Sequence, residues 1–76
     1  MRKKIIEYTS PIDALVNVAK RLQIQETKHG MSSERFFDKY SKGLLSDDIV
    51  NIEWSNDYLH YLALRQEVEE RLRHAA

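Results

Sequence analysis

The sequence predicts an all-α protein of three helices, with a short second helix forming a corner and a long C-terminal helix. Three observations predict it. Gly30 and Gly43 each end a helix-compatible run, and glycine takes the left-handed closing conformation without a Cβ clash. Ser10, Ser32 and Ser46 stand where the next runs begin, each placed to cap a helix N-terminus. Apolar residues recur at three- and four-residue spacing along the two longer runs. The stretch 29–64 contains both glycines, Trp54, both phenylalanines and three of the four tyrosines, so the remainder is organised around it.

Residues 1–9 read as a flexible or extended arm, and 10–76 as a single helical domain. Three cations near the start, Arg2, Lys3 and Lys4, lack a defined reading motif and are a weak signal for nucleic acid. The first helix starts at Ser10-Pro11-Ile12-Asp13, where serine caps, proline fits the first turn and aspartate complements the helix dipole. Ile12, Leu15, Ala19 and Leu22, with Val16 beside them, form its expected core stripe up to Gly30. Val18 and Ile24 fall off that stripe and are expected to widen an exposed apolar face for a second chain.

The second helix is expected over 33–42, with Phe36, Phe37 and Tyr40 inward and an Asp38–Lys42 pair outward. Leu44 and Leu45 are expected to pin the following turn into the core. Ser46 is expected to open the third helix, over 47–73, with Asp47 and Asp48 as first-turn acids. Trp54, Tyr58, Tyr61, Val68 and Leu72 share one seam of that helix. Val50 and Leu64 lie to one side of the seam, and Ile52, Leu59 and Leu62 to the other. A helix apolar over so much of its circumference needs cover on several sides. The tail is polar, with Glu67–Arg71 and Glu69–Arg73 expected as exposed pairs.

A chain of 76 residues buries only a thin core, so self-association or a partner protein is expected. It has no cysteine, which excludes disulfides and thiolate metal sites. No signal-peptide pattern or membrane-length apolar run occurs, so the expected location is the cytoplasm. Formal net charge is zero, but cations concentrate before Gly43 and acids after it. The common reading is two halves packed with complementary charge. The sharper one is an acidic face at Asp47, Asp48, Glu53 and Asp57 that meets a basic protein.

Glu53, Asp57 and His60 share a helix face, but one helix alone is a poor metal site, and no metal or cofactor is expected. No phosphate-binding glycine loop or nucleophile elbow occurs, so no enzymatic activity is expected. The aromatic set could stack RNA bases, yet acids flank Trp54, and aromatics at helical spacing are more often core.

The residues Gly30-Met31-Ser32-Ser33-Glu34, Gly43, Asp47-Asp48 and Ile52-Glu53-Trp54 resemble a family of very short prokaryotic antitoxins of type II toxin–antitoxin modules. The similarity covers about half of the chain. Leu44 and Ser46 depart from the pattern, which has glutamate and glycine there. The resemblance implies a protein-binding module that neutralises a cognate toxin by direct contact. The candidate partner-binding residues are Asp47, Asp48, Glu53, Asp57, Val18 and Ile24. The competing expectations are a stand-alone structural homo-oligomer and, further off, an RNA-binding module.

Overall fold

The structure, a computed structural model, describes residues 10–75, and the arm expected at 1–9 lies outside them. The fold is all-α: α1 Pro11–His29, α2 Ser33–Ser41 and α3 Ile49–Ala75. The long α3 packs along α1, and α2 closes one end against both. α1 and α3 run antiparallel, since Arg21 meets Asp57 while His29, two turns on, meets Trp54.

The helix ends follow from local chemistry. The Ser10 hydroxyl accepts from the Asp13 N–H at 3.3 Å, with Pro11 in the first turn. α1 ends at Gly30, whose φ of 62° is the left-handed conformation, and the N–H groups of Gly30 and Met31 both reach the Glu26 carbonyl. The Ser32 hydroxyl accepts from the Arg35 N–H at 3.1 Å and opens α2. Gly43, at φ 76°, lets the chain leave α2, and the Leu44 N–H returns to the Lys39 carbonyl.

The start of α3 corrects the sequence reading. Asp48, not Ser46, is the cap: its Oδ1 accepts from the Asn51 N–H at 2.9 Å, and its carbonyl accepts the first helical bond, from Ile52. Ser46 supports it, donating from its hydroxyl to Asp48 Oδ2 at 3.2 Å and accepting from the Asn51 side chain at its carbonyl. Aspartate and serine cap about equally well. Asp47 is engaged elsewhere, its carboxylate accepting from the Tyr40 hydroxyl at 2.7 Å.

The core cluster is Leu22, Phe36 and Trp54, with Met31, Phe37, Tyr40, Leu45, Tyr58 and Tyr61 packed around it. Val18 and Leu64 are also buried. This corrects the α1 stripe. Val18, expected outside, is 1% exposed, whereas Ile12 and Val16 are about half exposed. Leu15, Val18 and Leu22 fit the helical period as well as Ile12, Leu15, Ala19 and Leu22 do. Periodicity alone cannot separate two stripes rotated by less than a turn; the position of α3 does. Among the described residues no helix is long and apolar enough to cross a membrane.

Candidate functional site

The corner is built from a relay that crosses all three helices. Glu26 of α1 accepts from the Ser33 N–H at 2.9 Å, satisfying a donor in the first turn of α2. The Ser33 hydroxyl accepts from the Trp54 indole N–H of α3 at 2.8 Å, and both residues are buried. Both faces of Trp54 are occupied. Phe36 stacks on it with centroids 3.8 Å apart and planes within 5°, and His29 lies 5.0 Å away. A ring held this way has no open face for a nucleotide base. His29 Nδ1 lies 3.0 Å from the Gln25 carbonyl, so that nitrogen carries the hydrogen and donates. Sequence reasoning assigned neither Ser33 nor His29 a contact with Trp54. No local signal marks either, because both roles depend on Trp54 arriving from a distant helix.

The four acids singled out in the sequence occupy four different settings. Asp47 accepts the Tyr40 hydroxyl, and that bond, together with desolvation, raises the tyrosine above its ordinary pKa. Asp48 caps α3. Asp57 takes a two-pronged contact from Arg21, Nη2 to Oδ1 at 3.1 Å and Nε to Oδ2 at 3.2 Å. Glu53 is exposed. Along the tail, Arg71 pairs with Glu67 at 3.3 Å as expected, while Glu69 lies 4.0 Å from Arg65 rather than being assigned to Arg73.

The Arg21–Asp57 contact defines a face. Ile24 and Lys28 stand three and seven residues beyond Arg21, on its side of α1. Glu53 and Val50 stand four and seven residues before Asp57, on its side of α3. Because the helices are antiparallel, Val50, Glu53 and Asp57 border the seam with α1 at the corner end, while Ile24 and Lys28 lie further round α1, away from α3. Ile24 is 57% exposed and Val50 43%. Thus Glu53 and Asp57 share one side of α3, Asp47 and Asp48 lie just before its start, Val18 is removed to the core, and Ile24 sits on the outer side of α1 among Lys20, Gln23, Thr27 and Lys28.

On the opposite side of the seam a cleft of about 330 Å³ opens between the helices, lined by Glu26, Ser32, Glu34, Tyr58, Tyr61 and Arg65 among others. Burial, with the nearby Glu34 charge, raises the Tyr58 pKa, and the Arg65 guanidinium lies 5.6 Å from the Tyr61 ring centroid. Two acids, Glu26 and Glu34, and one base, Arg65, line the cleft. Among the described residues no group of three or more histidine or acidic side chains is placed to hold a metal ion. No protein-family model, curated protein or solved structure matches this chain.

Proposed function

We propose that this chain is an antitoxin-like protein-binding module that neutralises a toxin by covering part of it, through the corner face around Ile24, Val50, Glu53 and Asp57. The observation that carries this reading is the acidic pair Glu53 and Asp57 on α3 with half-exposed Val50 beside them, and exposed Ile24 on the neighbouring helix α1 supplies a further apolar anchor. Apolar anchors hold a complex once desolvated, whereas rim charges mainly speed encounter. The short motif spanning Gly30 to Trp54 supports the same reading, since it lies on the corner that forms one end of this face. The partner is expected to be a small protein with a basic surface.

The test is co-expression with the product of the adjoining reading frame, followed by surface plasmon resonance. Ile24→Asp and Val50→Asp are expected to speed dissociation at least tenfold. Glu53→Lys is expected to slow association at low salt and to matter little near 1 M salt, where the Debye length is about 3 Å. A complex unchanged by all three substitutions, or no complex at all, would overturn the proposal.

A further inference from the structure

A second exposed stripe runs along α3 on the side away from Trp54. Ile49, Ile52, Asn56, Leu59, Ala63 and Gln66 follow one another at alternating three- and four-residue steps, and every one is exposed. Ile49 is 67% exposed, Ile52 40% and Leu59 49%. This alternation is the seam of a coiled coil, set on the back of a helix whose front already packs on α1 and α2. Glu53 and His60 form one shoulder of the stripe, seven residues apart.

We propose that this stripe pairs with the same stripe of a second copy, antiparallel, so that Ile52 of one protomer packs on Ala63 of its partner and Leu59 on Asn56. The shoulder charges select this arrangement. In that register Glu53 of each protomer stands opposite His60 of the other, a contact repeated by the two-fold axis. Sliding by seven residues in one direction sets Glu53 against Glu53, and in the other direction against Glu67. Turning the pair parallel sets Glu53 against Asp48. Each alternative opposes Glu53 to another acid and gains no attractive pair, so the arrangement with Glu53 facing His60 is favoured. Glu69 and Asp48, which would also oppose each other, fall beyond the overlap of 49–66.

That overlap is about 25 Å of helix, at about 1.5 Å per residue. It buries less than the roughly 800 Å² per partner of a standard interface. The dimer is therefore weak and concentration-dependent. It shares Glu53 with the rim of the corner face but neither of that face's apolar anchors, Ile24 and Val50.

The absence of cysteine from the chain makes the test clean. Ile52→Cys and Ala63→Cys are introduced together and singly into the full chain, and oxidised after circular dichroism verifies the fold. Within one chain the two positions are eleven residues apart, about 16 Å along the helix, too far to bridge. The double variant is expected to give a disulfide-linked dimer, and each single variant at least tenfold less. Sedimentation is expected to show Leu59→Glu weakening the dimer at least tenfold, while Ile24→Asp leaves it unchanged. Single variants that cross-link as readily as the double, a chain that stays monomeric at a few hundred micromolar, or a dimer lost with Ile24→Asp but not with Leu59→Glu would each overturn the proposal. Loss of partner-protein binding without loss of this dimer would bear on the corner face alone.

Discussion

Truncating Trp54 removes the slab between Phe36 and His29 and leaves the Ser33 hydroxyl without its buried donor. Trp54→Ala is expected to cost about 3–5 kcal/mol, the usual range for deleting a buried large aromatic. Ser33→Ala is a finer probe. It keeps the volume nearly unchanged but leaves a buried indole N–H unsatisfied, which costs about 1–3 kcal/mol. Urea unfolding followed by tryptophan fluorescence measures both, and a neutral Ser33→Ala would mean that the relay to Glu26 contributes nothing. Trp54 as a core anchor was legible from its seam with Tyr58 and Tyr61. Ser33 was not, because its neighbours in sequence give a cap serine and its burial comes from a helix far along the chain. Val18 shows the same limit in reverse: an apolar residue off the expected stripe became core once α3 chose its side of α1.

Among the elements, the junction from α2 to α3 makes the sharpest claim. Asp48→Ala is expected to cost about 1 kcal/mol, the typical loss for a helix cap, whereas Ser46→Ala is expected to cost less because it only supports the cap. Thermal melting of both variants decides which residue caps. The same junction contributes a pH dependence. The Tyr40 pKa is raised mainly by its bond to Asp47, so the folded state favours the protonated phenol. A raised folded-state pKa means the contribution is complete below the unfolded value, near 10, and is lost as pH rises through the folded value. Melting temperature is therefore expected to fall above about pH 10. Replacing Tyr40 by phenylalanine is expected to reduce that fall and leave it unchanged near neutral pH, once the loss of the bond itself is subtracted. The Tyr58 pKa is also raised, mainly by burial, so it adds in the same direction. The helices themselves were legible because each end carries its own signal, and the α3 start was misplaced by two residues because Ser46, Asp47 and Asp48 all suit a cap.

For the molecule as a whole, stability is concentrated at the corner. Trp54, Phe36 and Leu22 are buried there, while α3 beyond Leu64 is mostly exposed, with Leu72 63% exposed against the start of α1. Amide hydrogen exchange is expected to be slowest around 51–64 and at least tenfold faster over 67–74, because few buried contacts hold the tail. Uniform protection along α3 would mean that the tail is covered by something beyond this chain's own helices. The charge division read from the sequence has one clear counterpart in the fold, Arg21 of α1 on Asp57 of α3. Each partner retains solvent contact, so this pair fixes register more than it adds stability, about 0.2–1 kcal/mol.

By itself the sequence determined the helix count, the two glycine stops, the short second helix and the burial of Trp54. Those depend on interactions within a few residues of one another: caps, left-handed glycines and helical spacing. Only the tertiary structure decided which side of α1 is inside, which acid caps α3, that Ser33 and His29 serve Trp54, and that Val50, Glu53 and Asp57 border the seam with α1 while Ile52 and Leu59 line another stripe. Those outcomes depend on the rotation of one helix about its axis relative to its neighbour. Local spacing leaves that rotation open within about one residue, and only the packing of Trp54 between Phe36 and His29 closes it.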